Sequence, residues 1–425
     1  MKKRALSLIL ASVCAAAVMS CGCGGVSSDS IIILDSVDRT KTTTVSVFGN
    51  RADHYSLRVI ENTLQGFMSD NLIATYESAT TNYWQALDKR YETDNLDDVF
   101  AIEHDRLMKM SADNALADLS DIVNANNFNE FARNQLYGAN GAVYAIPTAV
   151  STYGLYVNYD LLKKYNQSIP SKLDEFTAVC EYFKDSVTPV ICNNSSSLRS
   201  LILAVGMYDT YRNADTAGEI EKFNAKPSLL SEKLNAGIDF VYRMAANGWI
   251  DLNESASLSQ CSGDLGLFLS GERPFMITGG WASDTIKDMT GGKALSYGIH
   301  AYPVLKEGSV LVAETDMLSV KKGENESRAK ELVARLTSAS SLLALNENQS
   351  RFSPLNTTQI YADATITPSA SHLTKGRYVV CGDMRLNIPL DSYLNECTDL
   401  ILYGHADADT VKARLTSLLG GASDE

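Results

Sequence analysis

"GAVYAIPTAVSTYGLYVNYDLLKKY" occupies residues 141–165. Its β-branched and aromatic residues crowd together as strands require. Pro147 has no N–H for a sheet ladder, so the stretch reads as two strands with a break between them. Similar runs recur on both sides. "TVSVFGN" (44–50) is a β-branched run closing on Gly-Asn, a first strand. A helical pattern follows from about Tyr55 to Ser69, then "NLIATYES" as a second strand and "NYWQALDKRYE" as a helix. "DDVFAI" (97–102) is a short apolar strand. The helix beyond it carries Leu107, Met110 and Leu116, with a turn at Asp113-Asn114. This alternation of strand and helix is the mark of an α/β fold.

The second half repeats the alternation. In "IPSKLDEFTAVCEYFKD", Pro170 precedes Ser171 and Asp174 lies three residues on, which predicts a capping box. Leu173, Phe176, Cys180 and Phe183 then fall on one face. "ERPFMITGG" (272–280) is a strand entering a glycine turn, and "LSYGIHAYPV" and "VLVAETDMLSV" are two more strands. "ESRAKELVARLTSASSLLAL" is helical, with Ala329, Leu332, Val333 and Leu336 on one stripe. The tail after Asp391 reads as two helices.

The chain has 425 residues, 45% hydrophobic and 21% charged, enough for two domains with a real core. Its beginning has a different character. MKKR precedes the apolar run "ALSLILASVCAAAVM" (5–19), too short to span a bilayer as a helix. A basic start, an apolar middle and a small-residue exit read as an export signal over residues 1–20. Val18-Met19-Ser20-Cys21 resembles a lipobox, in which cleavage precedes a Cys that carries diacylglycerol. Cys21 is the lipidation candidate, Cys23 an alternative, and residues 21–42 a tether with a Gly/Ser-rich start. The expected location is therefore the extracytoplasmic face of the cell membrane, held by an acyl anchor.

Net charge is −14, and loss of Lys2, Lys3 and Arg4 makes the mature chain three charges more negative. Such a body does not suit nucleic acid, which needs clustered Lys and Arg. The five His residues (54, 104, 300, 372, 405) have no metal-ligand spacing. Cys180 and Cys192 could pair across a helix-to-strand connection, but the widely spread cysteines read better as buried thiols. No G-x-S-x-G is present, and "TGGKALS" lacks the first Gly and the Ser/Thr of a phosphate loop. A pair of catalytic carboxylates is a matter of spatial separation, which leaves a cell-surface glycan hydrolase open.

Four stretches in order resemble the family 1 extracellular solute-binding proteins, the sugar receptors of ATP-binding-cassette importers. They are "NLDDVFAIEHDRLMKMSADNALADLSDIV", "AVYAIPTAVSTYGLYVNYDLLKKY", "LSGERPFMITGGWASDTI" and "YGIHAYPV" with its following "SRAKELVARL" helix. The third is the most specific. The likeness covers about Thr43 to Leu419. It implies a two-lobed, periplasmic-binding-protein-like α/β fold of type II, with a ligand cleft between lobes joined by crossing strands. Lobe 1 would hold residues 43–147 and about 304–320, and lobe 2 residues 148–303 and 321–425. The implied function is capture of a carbohydrate by lobe closure and delivery to membrane permease subunits, by a monomer without cofactor, metal or catalysis. A receptor of the same fold for a polyamine, anion or peptide is the alternative. Two departures bear on the ligand: Ile102 stands where the maltose receptor has an aromatic residue, and Ser151 where it has an acidic one.

Sugar binding needs aromatic faces against C–H surfaces and polar pairs for hydroxyls withdrawn from water. Trp281, following Gly279 and Gly280, is where the family places an aromatic against the ligand; Gly280 lets backbone come close. Asp105 and Arg106 match hydroxyl-binding residues of the maltose receptor, with a surface ion pair at a helix start as the alternative, and Glu103 lies at the same strand end. Asn50 and Asp53 follow the first strand, and Ser151 and Tyr153 lie just past Pro147. Tyr83 and Trp84 point apart on a helix, so only one reaches the cleft; Tyr83 is the candidate. Glu314, on the second crossing, is a rim contact. Trp249 reads as packing.

Overall fold

The computed structural model describes residues 43–421 apart from 70, 80–81, 139–140, 193, 259–261, 292–294, 348 and 358–362. The export signal, Cys21, Cys23, the tether and Cys261 lie outside the described residues. Among the described residues the ten strands are β1 (Thr43–Gly49), β2 (Leu72–Ser78), β3 (Val99–Ile102), β4 (Ala145–Asn158), β5 (Val190–Cys192), β6 (Phe275–Gly279), β7 (Tyr297–His300), β8 (Tyr302–Leu305), β9 (Gly308–Val320) and β10 (Tyr378–Val380). Seven follow the order β2-β1-β3-β9-β4-β6-β5. β1 runs parallel to β2 and β3, and β5 parallel to β6, whereas β9 is antiparallel to both β3 and β4.

Residues 145–158 form one strand, not two, and all 14 are buried. Pro147 does not end it. The register with β9 shifts between Pro147, opposite Met317, and Ala149, opposite Asp316. A bulge at that point accommodates the missing N–H.

β4 and β9 each serve two cores. Ile146 and Val320 join Val45, Val47, Ile60, Leu64 and Val99 in the first. Leu155, Val157, Val310 and Val312 join Phe176, Leu201, Ile202, Leu234 and Phe275 in the second. The strands turn polar between these ends: Thr148, Ser151, Thr152 and Thr315 are buried there. Two lobes thus hang on the ends of one strand pair whose middle belongs to neither hydrophobic core. The expected boundary after β9 does not match the packing. Ala329, Leu332, Val333 and Leu336 form the expected stripe, yet it docks in the first core with Ile60, Leu64 and Phe67. Helices Glu326–Leu336 and Ala339–Asn346 therefore return to lobe 1, and the chain re-enters lobe 2 later.

Local details follow side-chain chemistry. Helix Leu173–Phe183 has Lys172 at its N-cap without a side-chain cap bond. The expected Ser171–Asp174 box is replaced by Glu175, whose Oε2 accepts from Ser171 N and Oγ at 2.8 Å each. Cys180, Cys192, Cys381 and Cys397 are free, buried thiols. Trp249 is 4% exposed and donates Nε1–H to Glu181, a packing residue as expected.

In lobe 2, helix Ser228–Ala246 crosses helix Ser195–Gly206 at Gly237. A β-carbon at 237 would lie 2.3 Å from the Ile202 carbonyl oxygen and 2.7 Å from its Cα. Those are backbone atoms, so no rotamer change relieves the clash. Gly237→Ala is expected to lower stability by about 1–3 kcal/mol, as overpacked cores do, read from urea unfolding. An unchanged midpoint would show that the two helices can separate freely.

Candidate ligand-binding site

β1 and β3 end towards the polar middle of β4 and β9 from one lobe; β6 and β10 end towards it from the other. Ligands of parallel sheets bind at such carboxyl ends. The loops 49–51, 102–106, 279–281 and 381–392 therefore face a shared region between lobes.

On the lobe 1 side, Glu103 caps helix His104–Ala112, accepting from Asp105 N and Arg106 N. Arg106 donates to Glu103 Oε1 at 2.6 Å and grips Asp88 through Nε and Nη2, both at 2.7 Å. Its guanidinium lies 5.1 Å from the Trp84 ring centroid. Arg106 is thus locked as a planar group beside a half-buried indole, a surface suited to stacking. Tyr83 is 4% exposed, stacks on Phe48, and donates its hydroxyl towards the carbonyls of Phe48 and Ala101. The helix turns Tyr83 into the core and Trp84 outward, the reverse of the expectation.

Asp105 is 8% exposed and fully committed. Its Oδ1 faces His104 Nδ1 at 2.9 Å, and its Oδ2 accepts from Ser392 N at 2.7 Å and Ser392 Oγ at 2.6 Å. Ser392 lies in the first turn of helix Leu390–Leu402, part of the lobe 2 core, so Asp105 ties the lobes together and is not free for a hydroxyl. His104 Nε2 faces the Leu386 carbonyl at 2.8 Å, which gives both ring nitrogens an acceptor. Burial opposes charge on this ring, but the hydrogen bond and charge of Asp105 win and raise its pKa to about 9.

In the middle of the crossing, Ser151 donates to Asp316 at 3.0 Å. Asp316 also pairs with Arg51 and Arg351, each at 3.4 Å. Ser151 thus supports a charge network rather than standing free. Asn50 is half-buried and lines a small cavity with Arg51, Tyr76, Thr148 and Asp316. Asp53 caps helix His54–Phe67 through Ser56 N at 2.8 Å and accepts from Gln349 at 3.1 Å, which gives it a structural role.

Glu314 and Tyr153 face the other part of the crossing. Ser151 and Glu314 are register partners, as are Tyr153 and Val312, so both sit on one face of the sheet. Acceptor atoms of Glu314, Cys381 and Asp391 lie within 4.8 Å of one another, and so do those of Glu103, Asp105 and Asp391. Burial pushes the Glu314 carboxyl up to about 8, against the pull of Arg199. Arg199, on helix Ser195–Gly206, is 3.9 Å from Asp391 and supplies positive charge to this group.

Gly280 is pinned between strands. Its N–H donates to Thr152 O at 2.7 Å, and a β-carbon there would meet the Ser350 carbonyl at 2.7 Å. Trp281 is half-buried at the head of helix Ala282–Thr290 and packs partly on the core of Leu265, Phe268, Ile286 and Ile299. Its Nε1 occupies space that a side chain at Gly279 would need. Residues missed in the sequence are Arg199, Asp391 and Ser392, whereas Trp84 is the alternative set beside Tyr83 there. Arg199 alone carried a signal: it is the one charge in the apolar helix "SSSLRSLILAVG".

The architecture matches known proteins. A chitin oligosaccharide binding protein is 16% identical, with TM-score 0.71 over 91% of this chain and 100% of that one. RafE in complex with raffinose is 17% identical, with TM-score 0.69 over 90% and 100%. The maltose-maltodextrin binding protein of Alicyclobacillus acidocaldarius is 15% identical, with TM-score 0.65 over 89% and 100%. At these identities the likeness establishes a two-lobed solute-binding fold. No curated protein matches the sequence. Among the described residues no helix is long and apolar enough to cross a membrane. The family profile for bacterial extracellular solute-binding proteins matches residues 71–370, and the chain belongs to that family.

Proposed function

We propose that this protein is a lipid-anchored extracellular receptor that captures a carbohydrate, an oligosaccharide by preference, and delivers it to the permease of an ATP-binding-cassette importer. The deciding observation is the convergence of strand ends from both lobes on the polar middle of β4 and β9, with Trp281 on one side and the Trp84–Arg106 pair on the other. Indole faces pack on sugar C–H surfaces, and the surrounding carboxylates and guanidinium groups satisfy hydroxyls. Lobe closure about the crossing strands would then bury the solute and present both lobe surfaces to a permease. It binds and releases its solute unchanged. The family and the sugar-binding neighbours support this reading, as does the lipobox at Cys21 for the anchor.

Differential scanning with raffinose, stachyose, chitin oligosaccharides and maltodextrins tests the ligand class. At least one should raise Tm; a folded sample indifferent to all of them counts against a sugar receptor. Trp281→Ala should then weaken the best sugar about tenfold or more, a loss of about 1.4 kcal/mol or more in binding, measured by titration calorimetry. Undiminished affinity would favour a non-sugar solute. Metabolic labelling with a fatty acid, lost in Cys21→Ala, tests the anchor.

A further inference from the structure

Three polar side chains at the crossing keep hydrogen-bonding capacity to spare. Glu314, half-buried in mid-β9, makes no hydrogen bond among the described residues, because Ser151 opposite it donates to Asp316 instead. Tyr153, 9% exposed, likewise has no hydrogen-bond partner for its hydroxyl among the described residues. Arg199, 8% exposed, has a buried Nε without a partner. Its Nη1 reaches Asn395 only at 3.4 Å and Asp391 at 3.9 Å. Tyr153, Glu314, Asp391 and Cys381 all lie close enough to Arg199 to feel its charge. Asp105, close by, is fully engaged by contrast. A donor and two acceptor-capable groups are therefore left open around one place, where the lobes meet.

The mixture selects among ligands. An ammonium group would meet the Arg199 guanidinium at close range, with Glu314 held protonated by burial and no counter-charge to offer. A carboxylate or phosphate would compete with Asp391, which already stands 3.9 Å from Arg199. A neutral hydroxyl accepts from the Arg199 Nε–H and donates to a Glu314 carboxyl oxygen in the same pose. A divalent metal on Glu314, Cys381 and Asp391 is opposed by the same guanidinium.

We propose that Arg199, Glu314 and Tyr153 form a polar subsite in the floor of the cleft that takes an uncharged hydroxyl of the solute and discriminates against charged groups there. This deepens the receptor function above and rests on it. Glu314 and Arg199 are specificity-determining residues on this account, and Asp391 holds Arg199 in place.

Titration calorimetry on wild type, Glu314→Leu and Arg199→Lys tests it, with raffinose, stachyose, chitin oligosaccharides and maltodextrins as neutral probes and spermidine and inorganic phosphate as charged ones. Glu314→Leu removes both oxygens at similar volume, and a circular dichroism melt confirms each fold. The expected result is a neutral sugar that binds wild type and loses tenfold or more in both variants, while neither charged probe binds. If Arg199→Lys fails to fold, Glu314→Leu decides alone. Sugar affinity within twofold of wild type in the folded variants would overturn the subsite and leave the receptor reading standing. Binding of spermidine or phosphate that Glu314→Leu or Arg199→Lys abolishes would overturn the preference for a neutral group. A wild type that binds none of the neutral sugars would overturn both readings.

Discussion

Asp383→Ala is expected to cost about 3–5 kcal/mol of folding stability, the range for breaking a buried, hydrogen-bonded charge pair from one side. The Asp383 side chain is 0% exposed. Arg385 donates Nε–H to its Oδ1 at 2.9 Å and Nη2–H to its Oδ2 at 2.6 Å, and Arg385 N adds a third bond at 3.0 Å. The Tyr211 hydroxyl donates to Oδ2 at 2.8 Å, and Gln135 approaches Oδ1 at 3.4 Å. Gln135 lies between lobe 1 core residues Ala132 and Leu136, whereas Tyr211 packs against the lobe 2 core. One carboxylate thus holds a guanidinium, a phenol and an amide drawn from both lobes. Truncation strands all three. Asp383→Asn keeps one acceptor but turns an N–H towards Arg385, so it should fall between alanine and wild type. Burial alone would raise the Asp383 pKa, yet the bonds and charge of Arg385 outweigh it and hold the carboxyl below the usual range. Its stabilisation is therefore complete above about pH 4 and is lost as pH falls through the depressed value. Urea unfolding at pH 7 and pH 3 measures both effects. A loss under about 1 kcal/mol at pH 7 would mean that the network re-forms without its anion.

Periodicity made the elements legible, because it reports which face of a segment is apolar. The stripe Ala329, Leu332, Val333 and Leu336 is buried as its spacing requires. It could not report which lobe the stripe meets: any apolar groove of matching width satisfies a helix, and Ile60, Leu64 and Phe67 supplied one across the chain. Pro147 shows a second limit. Proline forbids one ladder bond, and a bulge in the partner register removes the conflict that a single strand cannot reveal. At the site, strand ends were legible since Gly-rich and polar residues follow β1, β3 and β6, and Glu103, Arg106, Gly280 and Trp281 do lie there. The use of each side chain was not. Asp105 is taken by a serine 287 positions away, and Tyr83 is turned inward by Phe48. Such partners are set by the tertiary fold. Arg199 went unread although it carried a signal, since a lone guanidinium in an apolar helix demands a buried counter-charge wherever the helix packs.

Stability should fall as pH rises from about 6.5 to 8.5, and His104 should supply much of the slope. Its ring is 2% exposed and sits between two acceptors, Asp105 Oδ1 and the Leu386 carbonyl. The charged form is favoured there, with the pKa near 9 against an ordinary value of 6.5. A pKa raised on folding gives stability that is complete below the unfolded value and vanishes as pH climbs through the folded one. The contribution is on the order of 3 kcal/mol at neutral and acid pH, lost at about 1.4 kcal/mol per pH unit within the window. Glu314, raised to about 8 by burial, keeps a proton that the unfolded chain has already released and so adds a decline of the same sign. Other groups act elsewhere. His300 and His372 are pushed down by burial and act on the acid side. The buried thiols of Cys180, Cys192, Cys381 and Cys397 are pushed up and add a decline above about pH 8.5, where unfolded cysteines ionise. Urea unfolding at half-unit steps on wild type and His104→Gln separates these terms. The variant should be less stable at pH 6.5 and should shed about 1.4 kcal/mol per unit less than wild type between 6.5 and 8.5. Parallel curves would show that His104 is neutral in the folded protein, and that Asp105 ties the lobes through Ser392 without an imidazolium behind it.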